Sequence, residues 1–271
     1  LVGLWVLDTK TSVNLWALRN GLKSISVDLI LGQEIATMSE RFYTSLEITL
    51  GTMELRGPEA HHLAVVSRIT PGSLIALFSG DGREFSAEVL EAKKSCVLLD
   101  VKSVAEVCRE PKVKLTIFAS IPKAQRCDFL IEKLTEIGVF RFVPLDCEYS
   151  VVRAKQINTD KLRRSVIEAS KQCLRNQFME IAEPITFAES LQNIDESELN
   201  LFANVEENPL GKIVRGPIEK VNIWIGPEGG FSPAEVKLAL EKGLKIICVG
   251  KTILRVETAA VVLAGLAIHS S

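Results

Sequence analysis

The chain has 271 residues, 47% hydrophobic and 24% charged, with a formal net charge of -2. That composition excludes a disordered chain, a collagen-like or low-complexity tract, and a surface uniformly coated with cation to hold nucleic acid. The length admits one large domain or two smaller ones, and near-neutrality still permits a basic patch balanced by acid elsewhere.

Residues 1–40 read as an N-terminal extension outside the fold, with a helix packed on the body as the alternative. The segment is apolar but broken by Asp8, Lys10, Arg19, Lys23 and Asp28. Its longest uncharged stretches, Leu1–Leu7 and Thr11–Leu18, fall short of the roughly 18 residues a membrane span needs. A basic start, a single apolar run and a small-residue cleavage site do not occur in the order a signal peptide requires. The first Met, Met38, stands just before Arg41-Phe42-Tyr43, where the sequence pattern opens a domain.

Residues 41–110 predict a small β-barrel. Ser73–Ser79 and Arg83–Leu90 flank the turn signal Gly80-Asp81-Gly82, and Cys96–Val101 is a further apolar run. His61–Arg68 suits a short helix before the break at Pro71-Gly72. Glu110-Pro111 marks the boundary. Residues 111–271 then alternate strands with helices, which predicts an α/β domain with a largely parallel sheet. The strands are Val113–Ala119, Arg141–Leu145, Leu199–Asn204, Val221–Ile225 and Lys245–Val249. Cys127, Leu130, Leu134 and Ile137 fall at helical spacing ahead of Gly138; Leu162, Val166, Ala169 and Cys173 repeat the pattern. Ser232-Pro233-Ala234-Glu235 is a complete helix start, closed by Gly243.

Charge is unevenly distributed along this half. Lys112 to Arg175 carries thirteen Lys/Arg against seven Asp/Glu, whereas Asn176 to Ile247 carries six against twelve. The pattern fits either two solvated helix faces or a phosphate-binding surface. Six cysteines form no CxxC pair and the three histidines form no cluster, so no metal site and no disulfide scaffold is expected. Free thiols indicate a reducing compartment, the cytoplasm.

Two turns carry the chemistry. Gly226-Pro227-Glu228-Gly229-Gly230-Phe231-Ser232 follows an apolar strand and opens a capped helix. Its glycines let the backbone approach a ligand, though alone it reads equally as a tight turn. It is neither a Walker A loop nor a GxGxxG fingerprint. The next strand runs into Gly250-Lys251-Thr252-Ile253-Leu254-Arg255-Val256-Glu257-Thr258, ahead of an apolar helix at Ala259–Ile268. Ligands of open α/β sheets sit outside strand carboxyl ends, so two such turns imply one pocket. Arg255 and Glu257 read alternatively as a capping ion pair.

Together these motifs resemble the RsmE-type ribosomal RNA methyltransferases of the SPOUT superfamily, from about Arg41 to the chain end. The match includes the GPEGG turn, the Gly250–Ala259 stretch, Phe129–Val139, and Val143-Pro144-Leu145 with Glu148 and Ser150. It extends to Glu168-Ala169 with Gln172-Cys173 and Arg175-Asn176, and in the front half to His62, Arg68, Leu77-Phe78, Asp81-Gly82 and Ala87. Three residues depart from it: Tyr149 stands where Arg is usual, Lys171 where Glu is usual, and Thr252 where Arg is usual.

The resemblance implies a PUA-like RNA-binding barrel followed by a knotted (trefoil) methyltransferase domain, a homodimer, and S-adenosylmethionine as cofactor. It implies methylation of uridine nitrogen 3 in 16S ribosomal RNA of the small subunit, with no metal and no membrane. Expected cofactor contacts are Phe202, Ala203, Gly226, Pro227, Glu228, Gly229, Gly230, Val249, Gly250, Ile253, Leu254 and Thr258. Arg175 and Arg255 are the expected cations near the reacting base, and Glu257 and Glu228 the groups for orientation or proton removal. Arg41 and Arg68 in the barrel are expected to dock RNA, together with Lys123, Arg126, Arg153, Arg163, Arg164 and Lys171. The alternatives are a non-catalytic RNA-binding factor on the same fold, or an enzyme of this superfamily acting on another RNA.

Overall fold

The fold was analysed in a computed structural model of the chain, which describes residues 40–192, 194–204 and 218–269. The expected extension, apart from Glu40, lies outside them. The front half is a five-stranded sheet of β1 (Arg41–Tyr43), β2 (Gly51–Arg56), β3 (Leu74–Phe78), β4 (Arg83–Lys93) and β5 (Cys96–Glu106), in the order β1-β3-β4-β5-β2. All neighbours are antiparallel except β1 and β3. Helix α1 (Pro58–His61) and a π-type turn over His62–Val66 fill the expected helical stretch. The turn at Asp81-Gly82 sets β3 against β4, pairing Leu77 with Phe85. Two register shifts between β4 and β5, at Ser86/Ala87 and Val89/Glu91, bend the sheet. Phe42 of β1 and Leu55 of β2 consequently share one core with Leu63, Leu77, Phe85 and Leu99, although they come from opposite ends of the strand order.

The back half is a parallel sheet of β6 (Lys114–Ser120), β7 (Arg141–Asp146), β8 (Glu180–Ile181), β9 (Ile185–Thr186), β10 (Leu199–Ala203), β11 (Lys220–Ile225) and β12 (Lys245–Ile247). The order is β12-β10-β11-β6-β7-β8, with β9 also pairing β7, and every pairing is parallel. The helices are α2 (Gln125–Ile137), α3 (Thr159–Cys173), α4 (Phe187–Ser190), α5 (Pro233–Glu241) and α6 (Val256–His269). α2 buries Cys127, Leu130, Ile131 and Leu134 and stops at Gly138, whose left-handed φ of 97° suits glycine. α3 starts at Asn158, whose side chain accepts from Lys161 N, and α5 starts with the full Ser232–Glu235 capping box. The β6 and β11 strands are buried over most of their length, as strands covered on both faces must be.

Of the boundaries that differ from expectation, two shape the site. β12 stops at Ile247 rather than Val249, and α6 begins at Val256 rather than Ala259. Val256 and Glu257 are therefore buried first-turn residues and not loop residues. α6 runs back over the sheet, packing its buried Ala260, Leu263, Ala264 and Ala267 into the core that holds Leu115, Ile117, Leu130 and Leu134. Small residues let helix and sheet approach closely.

The two halves meet through polar and aromatic contacts. Arg41 donates to Ser170 O and to Asn176 Oδ1, and Gly82 N donates to Asn176 O. Phe178 packs edge-on against Phe78 and Tyr43. Gly80 is obligatory here, since its φ is 89° and a Cβ would come within 2.3 Å of the Phe178 ring.

Candidate functional site

Strand order builds the site. β10 lies between β11 and β12, so the carboxyl ends of all three strands lie side by side. A cleft of about 300 Å³ opens there. Ala203 and Asn204 contribute from β10, Ile225 to Phe231 from β11 and its loop, and Ile247 to Gly250 with Thr252 to Leu254 from β12 and its loop. Val256, Ala259 and Leu263 form a wall from α6. These three fall at i, i+3 and i+7, which places them on one face of the helix.

Most expected cofactor residues line this cleft: Ala203, Gly226, Pro227, Glu228, Gly229, Gly230, Val249, Gly250, Ile253 and Leu254. Two do not. Phe202 is fully buried and packs on Phe231 and Phe187, because alternate residues of a strand face opposite sides of the sheet. Thr258 is exposed and outside the lining. Ile253 is 85% exposed at the cleft.

The glycine loop is tight where it must be. A Cβ on Gly226 would come within 2.9 Å of the Phe231 ring, and one on Gly229 within 3.2 Å of Tyr149 Cβ. Gly230 turns the chain with a φ of 75°, and Gly230 N donates to Pro227 O.

A charged cluster stands beside the cleft. Arg126 Nη1 lies 3.1 Å from Glu228 and 3.9 Å from Glu257. Glu228 is partly exposed on the cleft lining, whereas the Glu257 side chain is 8% exposed and its Oε2 has no hydrogen-bond partner among the described residues. Arg126, expected to dock RNA, instead balances these two carboxylates. Arg255 is exposed, and its guanidinium has no ion-pair partner among the described residues.

Arg175 is far from this arrangement in role. Its side chain is 4% exposed, paired twice with Glu110, and it donates to Thr135 O and Val139 O at the end of α2. It does not line the cleft. Arg41 is similarly enclosed at 5% exposure, near Glu84 and above the Phe78 ring; desolvation pushes its guanidinium below the usual arginine range. Each of these two cations satisfies buried acceptors and cannot be drawn out without orphaning them. Lys171 is held by Glu59 and Glu168, Arg163 by Asp160 and Glu183, and Arg153 by Asp146. Arg68, Lys123 and Arg164 remain exposed with no ion-pair partner among the described residues.

Among the described residues no helix is long and apolar enough to cross a membrane, and no group of three or more metal-ligating side chains occurs. Burial pushes the Cys127 thiol up to about 11 and the Cys147 thiol up to about 12.

Comparison with known proteins agrees with this geometry. A family model for the RNA methyltransferase domain matches residues 109–268, and one for the RNA methyltransferase PUA domain matches residues 55–101. Ribosomal RNA small subunit methyltransferase E of Bacillus subtilis is 30% identical over 220 residues, covering 77% of this chain and 86% of that protein. The chain belongs to the ribosomal RNA small subunit methyltransferase E family. The Aquifex aeolicus member is 33% identical over 185 residues, covering 67% of this chain and 74% of its own. The crystal structure of the Neisseria gonorrhoeae member bound to S-adenosyl methionine superposes with a TM-score of 0.77 at 28% identity, over 83% of this chain and 95% of that one.

Within the family frame, sequence reasoning missed Asn204, Ile225, Phe231, Ile247, Cys248, Thr252, Val256, Ala259 and Leu263 as cleft residues. Phe231 was legible as part of the glycine motif. Asn204 carried no signal beyond closing a predicted strand.

Proposed function

We propose that this chain transfers a methyl group from S-adenosylmethionine to nitrogen 3 of a uridine in 16S ribosomal RNA of the small subunit. One observation carries the reading: the glycine-bearing loops after β11 and β12 and the carboxyl end of β10 between them converge on an apolar cleft flanked by the Arg126–Glu228–Glu257 cluster. The fit is physical. The cleft volume lies at the lower end of the range for small-ligand sites, and Gly226 stands where a Cβ would collide with Phe231, while one on Gly229 would press tightly on Tyr149.

Bound there, S-adenosylmethionine supplies an electrophilic methyl group. The chain's own residues do the rest. Ile253, Leu254 and Val256 flank an aromatic ring, while backbone groups of Gly226 to Gly230 and Val249-Gly250 read polar edges. The imino proton of uracil must leave for nitrogen 3 to react, and the resulting anion needs positive charge nearby. Arg255, exposed beside the cleft and without an ion-pair partner among the described residues, supplies that charge. Glu228, on the lining, accepts the proton; Glu257 positions Arg126, which in turn orients Glu228.

Arg68, Lys123 and Arg164 steer the RNA backbone through their uncompensated charge, with the barrel of residues 41–110 as an RNA-binding module ahead of the methyltransferase domain of residues 111–271. α6 returns from the edge strand β12 to the centre of the sheet, a path that supports reading the chain as threaded through a trefoil knot. We place the enzyme in the cytoplasm as a homodimer.

The test joins two measurements. Calorimetry should show S-adenosylmethionine binding, and mass spectrometry of ribosomal RNA from cells lacking the gene should show loss of one N3-methylated uridine. An unaltered set of methylated uridines refutes the reading.

A further inference from the structure

Tyr149 is unused by the mechanism above. It sits in the turn Cys147–Ser150 that follows β7, and it is 45% exposed. Its ring stacks on no other ring, and its hydroxyl has no hydrogen-bond partner among the described residues.

The turn beneath it is firmly pinned. Ser150 N donates to Cys147 O at 3.1 Å, Cys147 N donates to Ser150 Oγ at 3.0 Å, and the Ser120 and Ser150 hydroxyls lie 3.3 Å apart. Glu148 N donates to Glu235 Oε1 at 2.9 Å, and Glu235 also closes the capping box that follows the glycine loop. The turn and the cleft loop are thereby locked to each other. The base of the tyrosine ring rests on that loop: Tyr149 Cβ and Cγ would lie 3.2 Å and 3.8 Å from a Cβ on Gly229.

The surroundings favour nucleic acid. β11, β6 and β7 are consecutive in the sheet, so the cleft loop, the segment after β6 and the Tyr149 turn follow one another along its carboxyl edge. Ile121 bridges Val152, which draws the β6 segment to this turn. That segment carries Lys123, exposed and without an ion-pair partner among the described residues, and the turn continues into Val151, 66% exposed. A preorganised aromatic face on the same sheet edge as a cation without an ion-pair partner among the described residues is the pairing that single-stranded RNA exploits by stacking and backbone contact.

We propose that Tyr149 is the platform on which a base of the RNA substrate stacks as it leaves its helix and reaches the cleft. The inference rests on the methyltransferase reading and adds the residue that receives the base. An aromatic ring here, where the resembled pattern has arginine, exchanges a charge contact for a stacking contact, whose strength depends little on salt.

The experiment measures binding of a 16S ribosomal RNA transcript by filter retention for the wild type, Tyr149→Ala, Tyr149→Phe and Tyr149→Arg, with methyl transfer to the same RNA recorded in parallel. Tyr149→Ala is expected to weaken RNA binding about 5- to 100-fold, and Tyr149→Phe by less than about twofold. Cofactor affinity and melting temperature stay unchanged in both. Tyr149→Arg should bind RNA with a steeper salt dependence than the wild type. Unchanged RNA affinity in Tyr149→Ala overturns the proposal, as does an equal loss in Tyr149→Phe, which would assign the contact to the hydroxyl. Binding is read without turnover, so a wild-type protein that binds RNA but transfers no methyl refutes the methyltransferase reading while the affinity ratios still decide the role of the ring.

Discussion

Replacing Arg175 with Met should damage stability and spare the chemistry. The guanidinium makes two bonds to Glu110, Nε at 3.0 Å and Nη2 at 2.5 Å, and Nη1 reaches Thr135 O at 2.9 Å and Val139 O at 3.2 Å. It therefore neutralises a carboxylate ahead of the boundary proline and satisfies carbonyls at the negative end of α2. Breaking a buried ion pair from one side costs about 3–5 kcal/mol. Glu110 keeps 17% of its side chain in water and can partly rehydrate, so the lower end, about 3 kcal/mol, is expected. At about 2–4 °C per kcal/mol for a domain of this size, the melting temperature should fall by about 6–12 °C. Thermal unfolding followed by circular dichroism measures the shift, and calorimetry should give wild-type affinity for S-adenosylmethionine. Adding Glu110→Gln should restore part of the loss, because the stranded charge is then removed. Arg175→Lys should restore little, since one ammonium cannot span four acceptors. A melting temperature within about 2 °C of wild type, with methyl transfer abolished, would return Arg175 to the chemistry and refute the burial argument.

Gly226→Ala should drive a methyl group into the Phe231 ring, costing about 1–3 kcal/mol and weakening cofactor binding; wild-type calorimetry for this variant would mean the loop can yield. Arg164→Glu should weaken RNA binding and lower the salt slope by about one or more, whereas Arg163→Glu, whose side chain already faces Asp160 and Glu183, should do less; filter binding across a salt series compares them. Iodoacetamide at pH 8 should modify the exposed Cys108 and leave Cys127 and Cys147 intact, because burial raises their thiols to about 11 and about 12; peptide mass spectrometry reads the outcome, with labelling of Cys147 before Cys108 as the contrary result.

Local signals in the sequence proved dependable where the physics is local. The Ser232–Glu235 capping box, the stop at Gly138 and the glycine turn after β11 each depend on a few neighbouring residues, and each occurs where the sequence pattern places it. Strand order is a different matter. That β10 comes between β11 and β12 is what brings its carboxyl end and the loops after the other two strands to one cleft, and no periodicity encodes it. The cations divide in the same way. Arg41, Arg175 and Arg164 look alike in a charge count, yet Arg175 finds its carboxylate 65 positions away at Glu110, and Arg41 bonds Asn176 across 135 positions. The excess of cation before Asn176 therefore overstated the surface charge available to RNA. The start of α6 was placed late because Arg255, Val256 and Glu257 carry the mixed character of a loop, while burial of Val256 and Glu257 is decided by elements far away in the chain.

The wall that α6 gives the cleft has a consequence for biosynthesis. β6 and α2 are made early, and α6 packs into the same core from near the end of the chain, supplying Val256, Ala259 and Leu263 to the cofactor cleft. Contacts of such long sequence separation form late and slowly. A nascent chain on the ribosome thus carries most of its sheet before it has a cleft, and cofactor affinity arises only once α6 is seated. S-adenosylmethionine would then stabilise the completed fold alone, by mass action, and act as a ligand that selects finished molecules from partly folded ones.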